Sequence, residues 1–446
     1  MNIAFIPIDN RPVCYTLAKQ IADIDGSLNF FMPDRKWLGD LTKYADTEKL
    51  FEWIKNLPEL DAIILPLDTV AYGGLISSRR CPDTFEQIRE RIYRLREILE
   101  AKNAKIYAFS SIMRISNNNV NEEEKEYWDK WGKKIFDYSY QTHKLGCESC
   151  ITNVIPSEIL DDYMATRKRN FEINKIYLEW EKDGLFDTLV FSKDDCAEYG
   201  FNVQEAKFLE AMGGFVKTGA DEIPLTLLAR AIQGKVKVCP IFLAPEYKHL
   251  ISNYEDVSIE NSVKGQLELA GCEVCEPHEA DILLYVNNFE DRQGEIVMRL
   301  PTASYSGEWS SPDKPYMIAD VRFANGADNK FADKIFDKGF DKNFFGYSAW
   351  NTSANSLGSL ICAAKVKYLA KQYNDEAFKK LQAVRLLDDW AYQANVRQQL
   401  ECPDVHDVSI KMKKYEDRVC EILDFHGEIK YKFPWNRLFE IEVDIN

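Results

Sequence analysis

The strongest constraint on the fold is a rhythm in the first quarter of the chain. Four short runs, Ile3–Ile8, Leu28–Met32, Ala62–Leu67 and Lys105–Phe109, are apolar almost throughout and alternate with amphipathic segments. A strand with one wet face alternates apolar and polar residues. A strand apolar on both faces belongs to a parallel sheet covered by helices. The segments between fit that role. Tyr15–Ile24 is closed by Gly26, Thr47–Lys55 opens on a capping Thr47, and Asp83–Ala101 places Ile88, Ile92, Leu95 and Leu99 on one face.

The rhythm then breaks. Residues 117–187 contain no convincing strand and two helical stretches, Glu122–Tyr140 and Ser157–Lys182, which predicts a helical insertion. Arg167, Arg169 and Asn170 on the second helix read as a solvated basic face, with a cleft-facing position as the alternative. Strands resume at Leu189–Phe191, Phe215–Lys217, Val236–Leu243, Asp281–Val286, Tyr316–Ala319 and Phe344–Ala349. The tail reads as helical, in Leu360–Gln372 and Glu376–Glu401, with a closing hairpin of Glu428–Phe433 and Leu438–Val443. About ten strands are slightly more than an eight-stranded barrel needs. The expectation is an α/β protein with three parts. Residues 1–235 form a parallel β/α barrel-like (TIM-type) domain carrying insertion 117–187. Residues 236–359 form an appended Rossmann-like α/β unit, and 360–446 are mainly helical. Two facing Rossmann-like sheets are the alternative.

Composition narrows the partners. The formal charge of −16, from 56 basic and 72 acidic residues, argues against nucleic acid or an anionic membrane as partner. No apolar run approaches the roughly 18 residues of a membrane span, and no signal-peptide pattern opens the chain, so a cytoplasmic location is expected. The 11 cysteines, an odd number, read as reduced thiols. The pairs Cys147/Cys150 and Cys272/Cys275 stand too far apart to suggest a compact zinc site.

Chemistry is concentrated where strands stop. Leu189-Val190-Phe191 ends in Ser192-Lys193-Asp194-Asp195, and Asn202 then reads as the N-cap of a helix with Glu205 completing a capping box. Two adjacent carboxylates split their pKa values, leaving one able to hold a proton near neutrality. Alone, the pair reads as a helix cap. However, Asp9 and Arg11, Asp34, Asp68, Ser111 and Arg114, Asp221 and Glu222, Asn288, Asp320 and Asn351 also follow predicted strands, and strand C-termini of parallel sheets open onto ligand clefts. An acidic cleft with amides, Tyr72 and Trp350 suits a polyhydroxylated, largely neutral ligand.

No G-x-x-x-x-G-K-[ST] loop, no G-x-G-x-x-G after the first strand and no G-x-S-x-G elbow is present, so phosphate-cradle and serine-elbow chemistry lack their motifs. The five histidines sit off strand ends, against a histidine-based triad or metal site. A hard cation on Asp9, Asp68 and Asp320 is a further reading.

Several stretches resemble one bacterial family, called domain of unknown function 4127. They are Pro7-Ile8-Asp9-Asn10-Arg11-Pro12, the run Asp68 to Arg79, and Phe109 to Arg114. Asp194-Asp195 with Tyr199-Gly200, Gly219-Ala220-Asp221-Glu222 with Leu228-Ala229-Arg230, and Trp350-Asn351-Thr352 with Asn355 and Gly358 extend it. The resemblance covers nearly the whole chain and implies no activity. Lys193-Asp194-Asp195 is also similar, over that one motif, to the Asp-Asp pair of O-GlcNAcase-type hexosaminidases.

The expected function is a glycoside hydrolase acting on a small glycan or glycoside, such as a 2-acetamido sugar. Asp195 serves as general acid/base and Asp194 as the group orienting the substrate. Asp9, Arg11, Asp68, Tyr72, Arg114, Asp221, Glu222, Asp320, Trp350 and Asn351 are the expected substrate-binding residues. The expected partner is a small-molecule carbohydrate, with no cofactor and no resident metal. Two alternatives stand beside it. One is a metal-dependent enzyme clamping a phosphorylated or carboxylated metabolite through Arg11, Arg79 and Arg114. The other is a sugar-binding protein without turnover.

Overall fold

The computed structural model of the chain describes residues 1–149, 154–194 and 196–446, so Cys150 and Asp195 lie outside the described residues. The chain divides into two compact units. One comprises Met1–Asn10, Asn29–Pro224 and Tyr254–Asp256, and the other Arg11–Leu28, Leu225–Asn253 and Val257–Asn446.

The first unit is built on six strands: β1 (Asn2–Phe5), β2 (Asn29–Phe31), β3 (Ala62–Pro66), β4 (Lys105–Ile112), β5 (Thr188–Lys193) and β6 (Phe215–Thr218). All pair in parallel, in the order β2-β1-β3-β4-β5-β6. The parallel α/β class is as the apolar runs indicate, but the barrel is not. A β/α barrel adds each strand beside the last, whereas here β1 lies between β2 and β3. The winding therefore reverses, and β2 and β6 remain as edges of an open sheet. An apolar run reports that a strand is buried on both faces; it carries no information about which strand lies beside it.

Helices cover this sheet as their spacing dictates. Phe85–Glu100 buries Ile88, Ile92, Leu95, Ile98 and Leu99, and its first turn is closed by a reciprocal capping box between Thr84 and Gln87. These side chains pack with Ile63, Leu65, Ile106, Ala108, Leu189 and Phe191 of the strands in one core. Each fully buried Ile or Leu there contributes about 1.5–3 kcal/mol. The insertion holds two helices, Trp128–Leu145 and Ser157–Lys182. Two capping expectations shift by one residue or more. Asp46, not Thr47, caps Thr47–Asn56. Asn202 lies inside helix Phe201–Ala211, and its amide donates to Cys196 Sγ.

The second unit repeats the winding. Its sheet strands are β7 (Lys237–Phe242), β8 (Glu273–Val274), β9 (Ile282–Asn287), β11 (Tyr316–Asp320) and β13 (Phe344–Ser348). The short β10 (Gly294–Glu295) and β12 (Phe323–Ala324) pair separately. The five-stranded order β13-β11-β9-β7-β8 is parallel, with the unit's first sheet strand again between its second and third. The tail is mainly helical: Ser353–Leu369, Asp375–Arg385 and Val405–Leu423. The single helix expected over Glu376–Glu401 is broken, because Leu386–Val396 winds as a π-helix. Strands β14 (Ile429–Lys432) and β15 (Glu442–Ile445) form the closing antiparallel pair.

Among the described residues no helix is long and apolar enough to cross a membrane. The ten described cysteines are free thiols.

Candidate functional site

In the first unit the charged groups gather at the C-terminal ends of β3, β4 and β5. The pairing Ser111↔Ser192 sets β4 and β5 level there, and Asp68, in the short helix Leu67–Ala71 that follows β3, stands beside Ser111. Asp68 Oδ2 accepts the Ser111 backbone N–H at 2.8 Å, and Ser192 and Ser111 hydroxyls meet at 3.3 Å. Asp68 is 1% exposed and its Oδ1 has no hydrogen-bond partner. Burial pushes its pKa up to about 7, against the opposing pull of the Ser111 donors and of Arg79.

Arg114, two residues beyond β4, is the hub. Its guanidinium reaches Glu123 Oε2 at 2.9 Å, Glu124 Oε1 at 3.1 Å and Asp194 Oδ2 at 3.4 Å. Arg79, buried, pairs with the other oxygen of Glu124 at 3.1 Å and with Glu123 at 3.7 Å. It also lies within Coulombic reach of Asp194 and Asp68. Burial and the like charge of Arg114 lower the Arg79 pKa below that of an ordinary arginine, and the carboxylates offset this.

A turn puts Arg79 there. After Tyr72 the chain reverses through Gly73 and Gly74, at φ +88° and +141°. A Cβ on Gly73 would stand 2.7 Å from Tyr44 Cβ. The turn launches helix Leu75–Arg80, which carries Arg79 on its last turn. Tyr72 itself is buried, with the Arg169 guanidinium 5.5 Å from its ring centre.

The sequence-predicted residues divide between the units. Asp9, Asp68, Tyr72, Arg114, Asp194, Asp221 and Glu222 belong to the first, and Arg11, Asp320, Trp350 and Asn351 to the second. The structure brings Asp68, Arg114 and Asp194 together. Asp195, the residue expected as general acid/base, lies outside the described residues. Lys193 Nζ is paired with Asp256, which also accepts the Thr218 hydroxyl. Burial pulls the Lys193 pKa down, and the Asp256 charge outweighs it and leaves the lysine above its ordinary value. Asp9 and Asp221 are buried, and Glu222 accepts the Ala220 N–H at 3.0 Å.

In the second unit Asp320 is enclosed in a satisfied network. Asn287 donates to Oδ1 at 2.8 Å, while the Asp328 N–H and Tyr347 hydroxyl donate to Oδ2 at 2.8 and 2.9 Å. Burial, then the neighbouring Asp328 charge, push its pKa to about 7. Arg11 pairs with Glu440 at 3.2 Å and lies 5.1 Å from the Trp435 ring centre. Trp350 is buried, and Asn351, at φ +54°, offers its carbonyl to the Asn325 N–H.

The solvated basic face expected on the second insertion helix is overturned. Arg167 is buried against Glu205 at 2.7 Å, and Arg169 donates to the carbonyls of Cys81, Asp83 and Ser78. The helix has a neighbour on that face, which a helical period alone does not reveal. Glu123 and Glu124, central to the hub, escaped the sequence reading because they follow no strand directly. Their spacing of nine and ten residues from Arg114 was the one available signal.

The family described as Protein of unknown function (DUF4127) matches residues 3–444. The chain belongs to this family. No curated protein and no solved structure matches it, so the hexosaminidase likeness of Lys193-Asp194-Asp195 has no support from these comparisons. The stretches Asp68–Arg79, Phe109–Arg114 and Asp194-Asp195 all lie within the matched residues. Three of the family-like stretches meet at this one hub.

Proposed function

We propose that the first unit carries the active site of a glycoside hydrolase acting on a small glycan or glycoside, centred on Asp194 and Asp195. The supporting observation is the hub. Asp194, about a quarter exposed on its side chain, is held by Arg114 at the end of β5, where a substrate can reach it. A carboxylate held by a guanidinium is fixed in place, which suits orienting a 2-acetamido N–H or stabilising an oxocarbenium-like charge. Asp195 is assigned the acid/base role from the sequence. Asp68, too buried to touch a ligand, acts as a positioning residue that fixes the end of β4 through Ser111.

The anion-clamp alternative draws less support, because Arg11, Arg79 and Arg114 are each paired with carboxylates of the protein itself. The test is a panel of chromogenic glycosides with wild type, Asp194→Asn and Asp195→Asn. Loss of about 100-fold or more in kcat for both variants, with unchanged melting, is the expected result. Full activity in either variant, or no hydrolysis of any glycoside by wild type, would remove the assignment.

A further inference from the structure

Next to the hub, wholly within the first unit, lies an open polar cleft of about 700 Å³ lined by Thr42, Arg80, Asn121, Glu124, Lys125, Glu126, Tyr127 and Asp162. That volume falls in the range of small-molecule sites, roughly 300–1,000 Å³. Its link to the hub is Glu124, whose buried carboxylate bridges Arg79 and Arg114 and also lines the cleft.

The lining selects the ligand. Two cations border the cleft, and both are occupied by the protein. The Arg80 guanidinium donates to the carbonyls of Leu41, Asn121, Glu122 and Glu124, four of its five N–H groups. Lys125 Nζ is held by Asp162 Oδ2 at 2.6 Å and the Thr166 hydroxyl at 2.8 Å. The Tyr127 hydroxyl donates to the same Asp162 oxygen at 2.8 Å. Glu124 is likewise held by Arg79 and Arg114, and Asp162 by Lys125 and Tyr127, so the exposed Glu126 carboxylate is the charge that faces a ligand. The cleft thus offers acceptors to a ligand rich in donors and repels an anion.

We propose that this cleft is a substrate subsite for a hydroxyl-rich sugar unit bearing no anionic group, neutral or amine-substituted. It takes the part of the substrate that extends away from the bond cleaved at Asp194. The assignment of the hub as a hydrolase site is assumed only for that last clause; the binding itself stands on the cleft.

The experiment measures thermal shift and calorimetric binding on the full chain. The probes are cellobiose, maltotriose, di-N-acetylchitobiose and glucosamine, with glucuronate and glucose 6-phosphate as anionic counterparts. Thr42→Trp, at an exposed lining residue that takes part in none of the hub's ion pairs, fills the cleft, and Asp162→Ala releases Lys125 and Tyr127 as a second variant. The expected result is binding of at least one neutral or amino sugar at millimolar concentration. Thr42→Trp should weaken it about tenfold or more at unchanged melting temperature. Asp162→Ala should weaken the sugar and newly admit the anionic probes through the released Lys125. No binding by any neutral or amino sugar, preference for the anionic probes in wild type, or full binding by Thr42→Trp would each overturn the subsite. Binding without any hydrolysis would sink the hydrolase reading and leave the subsite standing. Hydrolysis indifferent to Thr42→Trp would do the reverse.

Discussion

Replacing Asp68 with asparagine should change the pH dependence of stability in a direction fixed by its burial. The carboxyl has an ordinary pKa of 3.8 when exposed and about 7 in the folded unit. A folded pKa raised above the unfolded one means the folded chain keeps a proton that the unfolded chain has released. The associated stability is fully present below about pH 4 and is lost as pH rises to about 7. Three pH units at about 1.4 kcal/mol each give roughly 4 kcal/mol over the whole range, of which about 2–3 kcal/mol falls between pH 5 and 8. Asparagine keeps an oxygen to accept the Ser111 N–H and does not titrate. Asp320 and Asp389, also raised to about 7, are common to both proteins and cancel in the difference. Urea denaturation at pH 5 and pH 8 reads this directly. Relative to wild type, Asp68→Asn should be more stable at pH 8 than at pH 5 by about 2–3 kcal/mol, or about 5–10 °C in melting temperature. If the two units unfold in separate transitions, only that of the first should respond. A difference between variant and wild type that is the same at both pH values would refute the account of Asp68 as a buried, proton-holding acid.

Two further perturbations test how the site is supported. Arg167→Met leaves Glu205 without its partner at 2.7 Å and should destabilise the first unit by about 3–5 kcal/mol, while the double variant with Glu205→Leu recovers most of the loss in urea titrations. Gly73→Ala forces a side chain into a left-handed backbone against Tyr44 and Ala45. It should cost about 2–4 kcal/mol in thermal melts and, under the proposed function, lower glycoside hydrolysis further by displacing the helix that carries Arg79.

Much of the first unit was legible because its signals are local. Ile88, Ile92, Leu95 and Leu99 mark a buried face whatever lies opposite, and Ser157–Lys182 has the predicted bounds because Pro156 stops any earlier start. What failed was non-local. The order β2-β1-β3 depends on which strands hydrogen-bond, and the paired state of Arg167 depends on a helix nearly forty residues away. The π-helix at Leu386–Val396 was invisible for a related reason. Its residues have ordinary helical propensity, and the pairs of Arg385 with Asp388 and Asp389 have the i,i+3 and i,i+4 spacing of any α-helix. At the candidate site, Asp68, Arg114 and Asp194 could be picked out as strand-end residues. Their proximity follows from the sequence only on the condition that the strands lie parallel side by side, which β3, β4 and β5 meet as consecutive neighbours in the sheet.

The energetics of the hub bear on why it exists. Arg79 and Glu124 are almost wholly buried, and Arg114 is mostly so. Removing such charges from water costs several kcal/mol per ion, and their mutual attraction commonly does no better than break even against apolar side chains of similar size. Stability therefore gives little reason to bring Arg79, Glu123 and Glu124 from connecting segments onto Arg114 and Asp194 at the ends of β4 and β5, when Ile63, Leu65, Ile106 and Leu189 fill the neighbouring strands with apolar side chains. Local rules are broken in a folded chain mainly where function requires it. The switch from an apolar core to a charged hub within one or two residues of two adjacent strand ends is such a place. Tethering Asp194 through Arg114 also fixes its carboxylate against a scaffold, which the substrate-orienting role proposed for it needs and a surface turn does not.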